Sequence, residues 1–387
     1  MSHIGKIVVF GAGATGRGHV GLLCWQAGFE MVFVDKKPDL VDALQQAGTY
    51  TVHLYGEKHQ QQVTVTGCRY LHSGARQQVA EEIADADIVL TSVFDQNLPD
   101  VAVTLAKAAE LRQQLGNQLP LNCIACENMM DSSSTLGRHV RQHLGPATCE
   151  YLDAYVGFPD CMISRVVPRP ADPLTITAED YNEWTARREV FKGSKPAALS
   201  ALELVDNQTA RLERKLFVHN GGHAVCGYIG FHRGWEYIHE AVGDPVVGEH
   251  VLGALNELGE VVRLKHGFSA DSVKAYEMDL VRRGSVPEMR DEILRVVRDP
   301  MRKLSARERL VAPALQAEEL GASREWIVKG IAAALHYSHP VDAQSIELQA
   351  RLERSGIEVV VAEVCGIAPD SSLGQEIVEA YNTFDLS

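Results

Sequence analysis

Three glycines at fixed spacing, Gly11-Ala-Gly13-Ala-Thr-Gly16, constrain this chain more than any other segment. They follow a strand-like run, KIVVF over Lys6–Phe10, and open a segment over 16–28 that reads as a helix. A strand turning into a helix through GxGxxG is the fingerprint of a dinucleotide-binding βαβ unit. The first glycine permits the tight turn, the second lets backbone approach a pyrophosphate, and the third allows close helix–strand packing. The helix N-terminus then offers free N–H groups and a positive dipole end to the phosphates. Gly11, Ala12, Gly13, Ala14, Thr15, Gly16 and Arg17 are therefore the expected cofactor contacts on the phosphate side. Asp35 closes a second strand, Glu30–Asp35. A carboxylate there accepts hydrogen bonds from the adenosine ribose and repels a 2′-phosphate, so NAD is expected over NADP. Lys36 and Lys37 follow at once and soften that preference without reversing it.

The alternation continues through a helix over 39–47, a buried strand over 87–93, a helix over 99–115 and a strand over 120–125 that ends at Cys126-Glu127-Asn128. Strand, helix and strand in turn argue for a parallel, doubly wound sheet. Prolines at 159, 168, 170 and 173 make 149–195 read as an irregular close to this domain. From about Ala198 strand-like runs give way to amphipathic helices over 206–230, 245–266, 269–283, 287–297, 306–320, 325–336, 342–355 and 374–381. The expectation is an α/β fold: a Rossmann-type doubly wound sheet over 1–195, an all-α domain over 196–387, and the active site in the cleft between them. A length of 387 residues suits two domains.

Charge narrows the partners. Lys and Arg total 37 against 51 Asp and Glu, a net charge of −14, which repels nucleic-acid backbones and anionic lipid. There is no basic run, no stretch near ~18 apolar residues for a membrane span, and no signal-peptide h-region after the N-terminus. A cytoplasmic protein is expected, and monomer or homodimer stays open. The eight scattered cysteines read as reduced thiols. Cys123 and Cys126 have CxxC spacing, but on a buried strand they point to opposite faces, and no second pair accompanies them. His219 and His223 stand at i, i+4 like a zinc pair, yet Asn220 occupies the place of the general-base glutamate. No metal is expected.

The chemistry concentrates in Lys215-Leu-Phe-Val-His-Asn220-Gly-Gly-His223. On a regular helix Asn220 lies about 140° and His223 about 80° round from Lys215, one broad face. Gly221 and Gly222 each cost up to ~1 kcal/mol in a helix, which calls for close approach of another backbone or a ligand. Each of the three polar residues alone reads better as a surface lysine or a packed neighbour; their combination with Asn128 and the nucleotide loop reverses that.

The pattern K-x4-N-x2-H resembles the signature of the polyol-specific long-chain dehydrogenases and reductases. FGAGATGRGHVG, ACENM (125–129), VGF (156–158), RVVP (165–168), ERKLF, DPMRKLSARERL (299–310) and GIAAALH (330–336) are similar to that family as well. The resemblance spans nearly the whole chain. It implies metal-free oxidation of a secondary alcohol by NAD, with Lys215 as general base, Asn220 and Asn128 as donors to the developing alkoxide, and His223 orienting the hydroxyl or the lysine. The chemistry asks for the same groups. An amine with an unperturbed pKa near ~10.4 must be made neutral, and neutral donors must meet the charge on oxygen.

Within the family, the branch interconverting D-mannitol 1-phosphate and D-fructose 6-phosphate is similar in length. The resemblance extends to its RKLS segment, which implies Arg302, Lys303 and Arg309 as contacts for a sugar phosphate. The plain alternative is a solvated helix start with ion pairs to Glu308. Two positions depart from that branch: Phe94 where glycine is usual, and Ser164 where aspartate precedes the arginine. Another polyol phosphate, a free polyol or a hexuronate as substrate, or an idle NAD(H)-binding paralogue, therefore stays in view.

Overall fold

The computed structural model describes residues 3–58, 60–127 and 129–386. Its chain divides into two compact units, Met1–Leu212 and Glu213–Ser387.

Twelve strands build the first unit: β1 (Lys6–Phe10), β2 (Glu30–Asp35), β3 (Thr49–Tyr55), β4 (Gln60–Thr66), β5 (Arg69–His72), β6 (Ile88–Thr91), β7 (Leu121–Ala125), β8 (Val156–Gly157), β9 (Cys161–Ser164), β10 (Thr175–Glu179), β11 (Glu183–Arg187) and β12 (Leu202–Val205). Six form a parallel sheet in the order β5-β2-β1-β6-β7-β8. The chain runs outward from β1 in one direction and then returns to β6 on its other side. This is the doubly wound arrangement, with the order reversing between β1 and β6. Strands buried on both faces need apolar residues at every position. In β1, Ile7 and Val9 enter the core on one face, while Val8 and Phe10 enter the core on the other. Each such side chain contributes roughly 1.5–3 kcal/mol by leaving water.

The reading of 149–195 as irregular is corrected. The segment holds the end of the helix Pro146–Tyr155 and the strands β8 to β11. The prolines punctuate short strands: Pro159 separates β8 from β9, and the other three separate β9 from β10. Two small sheets result, β10-β3-β4 and β12-β11-β9, the first joining β10 to the distant β3 and the second pairing neighbouring segments. The first of them packs on the nucleotide helix, where Ile176 and Val167 crowd Gly18.

Beyond β12 the described residues of regular structure are helical. Pro245–His266 and Glu325–His336 appear as read. Asp244 caps the former by accepting from Val246 and Val247 N–H, and left-handed Gly267 ends it. The helix expected over 287–297 is replaced by a single turn Pro287–Met289 and a short helix Ile293–Val297, because Arg290 is left-handed at φ +41°. The helix expected from 306 begins at Val311. No described helix is long and apolar enough to cross a membrane.

Cys123 and Cys126 enter opposite cores, and Cys126 Sγ lies 3.9 Å from Cys161 Sγ. Six of the eight thiols are buried, and burial pushes those of Cys123, Cys226 and Cys365 up to about 12. Thiol titration of the folded protein should therefore find at most two reactive groups, Cys68 and Cys149, and all eight in denaturant. Six or more reacting under native conditions would contradict this packing.

Candidate functional site

In the first unit the carboxyl ends of β1, β2 and β6 converge. Gly11 leaves β1 at φ +95°, and a β-carbon on it would fall 2.1 Å from the Ser92 carbonyl oxygen. A β-carbon on Gly16 would fall 1.9 Å from the Gly11 carbonyl oxygen. Both glycines are thus fixed by backbone crowding. Gly13 differs: nothing lies within 4 Å of where its β-carbon would be. That open backbone is the cradle a pyrophosphate needs.

Asp35 anchors the neighbouring corner. Its two carboxylate oxygens accept from Ala12 N–H at 2.8 Å and Lys37 N–H at 2.9 Å. Each oxygen keeps further lone-pair capacity for ribose hydroxyls. Lys36 donates to Asn97 Oδ1 at 2.8 Å. The open loop, the helix start and this carboxylate together fit a dinucleotide.

The side chain of Arg17 requires a correction. It is buried, its Nε donates to Ala12 O at 2.6 Å and a terminal nitrogen to Pro173 O at 2.6 Å, and its guanidinium lies 5.1 Å from the Tyr50 ring centre. It braces the loop from inside the protein. The helix it starts opens with a π turn, Gly16–Val20, in which Gly21 N–H donates to Gly16 O.

Sequence reasoning missed Glu127. Buried at the end of β7, it accepts from Thr91 Oγ1 at 2.9 Å, Val93 N–H at 2.8 Å and Phe94 N–H at 2.9 Å. Burial raises its carboxyl above the usual range even against these three donors. It holds the exit of β6 in place, including Phe94 at φ +68°, ψ +147°. Such a conformation costs a non-glycine residue about 1–3 kcal/mol. Asn128, the next residue, lies outside the described residues. The only signal for Glu127 was its place inside ACENM.

In the second unit, Lys215–His219 form a π turn between the helices Gln208–Arg214 and Asn220–His232. Asn220 N–H donates back to Lys215 O, five residues earlier. The regular-helix angles do not hold across this turn; the extra residue brings Asn220 closer in angle to Lys215 than a regular helix would. Single π turns of this kind recur at functional positions. Phe217, Val218, Gly221 and Gly222 are buried, whereas Lys215, His219, Asn220 and His223 are half-buried. The paired glycines have their cause here: a β-carbon on Gly221 would lie 2.8 Å from the Arg309 carbonyl oxygen, and one on Gly222 would lie 2.5 Å from Leu255. The backbone of Arg309 therefore runs beside Asn220.

His223 Nε2 lies 3.1 Å from Asp291 Oδ2, an acid that sequence reasoning also missed because the pairing spans 68 positions. Burial alone would raise the Asp291 carboxyl; the His223 hydrogen bond and charge, with Arg295 at 2.5 Å, hold it below the usual range. In neutral His223 this bond places the proton on Nε2 and leaves Nδ1 as an acceptor. The His219 ring is 6.0 Å from that of His223. Desolvation first, then the charges of Arg283, His223, Lys215 and Arg309, push His219 well below the usual imidazole value.

Arg302 and Arg309 share one carboxylate, pairing with the two oxygens of Glu308 at 2.9 Å each. Lys303 is buried and donates to Arg298 O. Among the described residues no group of three or more His, Cys, Asp or Glu is placed to hold a metal ion.

Burial, reinforced by Arg309 and Arg302, pushes the Lys303 amine down to about 7. In the unfolded chain it returns toward ~10.4, so the folded state is penalised fully below pH 7 and progressively less up to pH 10. Lys303→Met should stabilise the protein at pH 7, with the gain shrinking by roughly 1.4 kcal/mol per pH unit above that. Urea unfolding of both proteins at pH 7 and pH 9 measures it; an equal gap at the two values contradicts the shift.

Comparison with solved structures finds the same fold in two polyol enzymes. A ternary complex of mannitol 2-dehydrogenase from Pseudomonas fluorescens with NAD and D-mannitol matches at a TM-score of 0.80 and 17% identity, covering 99% of this chain and 92% of that one. A substrate-free D-sorbitol dehydrogenase matches at 0.78 and 17%, covering 97% and 92%. The family model described as the mannitol dehydrogenase Rossmann domain matches residues 5–199, and the one described as the mannitol dehydrogenase C-terminal domain matches 209–385. With both models accounting for nearly all of its length, the chain belongs to the mannitol dehydrogenase family.

Proposed function

We propose that this family member is an NAD-dependent mannitol-1-phosphate 5-dehydrogenase, interconverting D-mannitol 1-phosphate and D-fructose 6-phosphate. The observation that carries the oxidoreductase reading is the π turn in which Asn220 N–H reaches back to Lys215 O, followed on the next helix by His223, which Asp291 holds from a distant segment. NAD, when bound, supplies the hydride acceptor. Lys215 takes the hydroxyl proton as the carbon–hydrogen bond breaks, and Asn220 and Asn128 donate to the oxygen as it gains alkoxide character. His223, with Nδ1 free to accept while Asp291 holds Nε2, orients the substrate hydroxyl. Asp35 selects NAD through the ribose. Arg302, Lys303 and Arg309 are the cations available to a phosphate, supported by their mutual density in an acidic chain and by the Arg309 backbone running against Gly221, next to Asn220.

A second reading has its own support. Glu308 already pairs with both Arg302 and Arg309, and the two fold relatives above are named for unphosphorylated polyols. An unphosphorylated polyol would use Lys215 in the same way without the cations, and a hexuronate would offer them a carboxylate in place of a phosphate.

Fructose 6-phosphate, fructose and fructuronate compared at equal concentration as oxidants of NADH decide between them. Turnover confined to the phosphate ester is expected; activity only with fructose or fructuronate removes the phosphate assignment of Arg302, Lys303 and Arg309. Lys215→Ala should lower kcat by about 10²–10⁴ while NADH affinity stays within about twofold, and surviving turnover would remove Lys215 as the base. Asp35→Ala deletes charge-assisted bonds to the ribose, and the NAD-over-NADP preference should fall by about tenfold or more. An unchanged ratio would take Asp35 out of the ribose site.

A further inference from the structure

Four non-glycine residues among those described have positive φ. Asp131, Arg290 and Asp299 adopt the ordinary left-handed helical conformation. Phe94, at φ +68° and ψ +147°, does not. Its region is populated essentially by glycine. Phe94 is also 72% exposed; the only other exposed Phe or Trp among the described residues is Trp235, at 38%. Its neighbour Val93 packs on the core, whereas the Phe94 ring stands outward. Stability alone would place glycine here, because the ring adds backbone strain and apolar exposure together.

The conformation is nonetheless over-determined. Glu127 accepts from the N–H groups of both Val93 and Phe94, Asn97 N–H donates to Phe94 O at 3.0 Å, and the Asn97 side chain donates to Val93 O. Strain maintained at such a density of hydrogen bonds points to a use. Position supplies the occupant. Asp35, which takes the adenosine ribose, ends β2 on one side of β1, and the pyrophosphate cradle at Gly13 lies at the end of β1 itself. β6 is the strand on the other side of β1, so the remaining half of a dinucleotide extends toward its exit. We propose that Phe94 is an apolar wall for the nicotinamide half of the cofactor, held proud of the β6 exit by Glu127 so that its ring is covered only when the dinucleotide is bound. The inference rests on the NAD reading and adds a residue that neither the fingerprint nor the K-x4-N-x2-H pattern contains.

The test compares two ligands on the full-length protein: NADH, by its fluorescence, and ADP-ribose, which lacks the nicotinamide, by calorimetry. Phe94→Ala should weaken NADH about tenfold, as the loss of one well-covered aromatic contact would, and leave ADP-ribose within about twofold. Phe94→Gly relieves the strain, so it should melt at a higher temperature than the parent without ligand while losing the same NADH affinity. Unchanged NADH binding overturns the proposal. So does an equal loss for both ligands, which would indicate a damaged loop, or a lower melting temperature for Phe94→Gly, which would give the ring a packing role. If the parent binds ADP-ribose and NADH equally poorly, the NAD reading itself falls, and this inference with it.

Discussion

The carbonyl oxygen of Ser92 lies 2.1 Å from where a β-carbon on Gly11 would stand, and the amino-terminal unit is organised around that approach. It lets the exit of β1 touch both neighbouring strands: Ser92 N–H, beyond β6, reaches Phe10 O, and Gly11 N–H reaches Val34 O of β2, each at 2.7 Å. The loop then lies low enough for Ala12 N–H to meet Asp35. A side chain at position 11 would push the two strand exits apart and separate the Glu127 latch from the residues it holds. The open backbone at Gly13 is thus a consequence of crowding at Gly11 and Gly16, since the loop is pressed against the protein at both ends and bare in the middle.

A related economy appears in both units. The helix after the glycine loop and the helix bearing Lys215 each contain one π turn, and each turn donates an N–H five residues back, Gly21 to Gly16 and Asn220 to Lys215. One extra residue rotates all that follows relative to all that precedes. In the second unit this turns Asn220 toward the side of Lys215 while Phe217 and Val218 stay buried, a combination that a regular α-helix spreads over a wider arc. The cost is poorer hydrogen bonding within the turn, and the paired glycines that follow admit the Arg309 backbone to close the packing.

How much of this was legible depends on whether the determining contact was local. The strand–loop–helix around Gly11, the carboxylate at Asp35 and the helices Pro245–His266 and Glu325–His336 could be read because their causes lie within one element: a glycine spacing, a capping aspartate, a repeating apolar stripe. The two small sheets were not legible. β3 pairs with β10 across more than a hundred residues, and the prolines near β9 and β10 read as breakers when they were punctuation. Glu127 and Asp291 escaped for the same reason, since a buried acid is recognisable only by the distant groups that satisfy it. Arg17 misled in the opposite direction: its place in the motif suggested a ligand contact, whereas burial against Pro173 and Tyr50 turned it inward. No periodicity in the sequence announces a π turn.

The second unit gathers cations in a chain whose net charge is −14. Lys215, Arg283, Arg309 and His223 all act electrostatically on His219, and Arg309 and Arg302 act on Lys303. Asp291 and Glu308 answer them, and both are held below the usual carboxylate range despite burial that opposes it. Burial first, and these neighbouring cations after it, push His219 and Lys303 toward their neutral forms. Cations gathered this closely favour an anion from outside. A phosphate near Lys303 would restore its proton; an uncharged hydroxyl would leave it depressed. The two substrate readings therefore differ at the remote end of the sugar and not at the carbinol, where Lys215, Asn220 and His223 would serve either one.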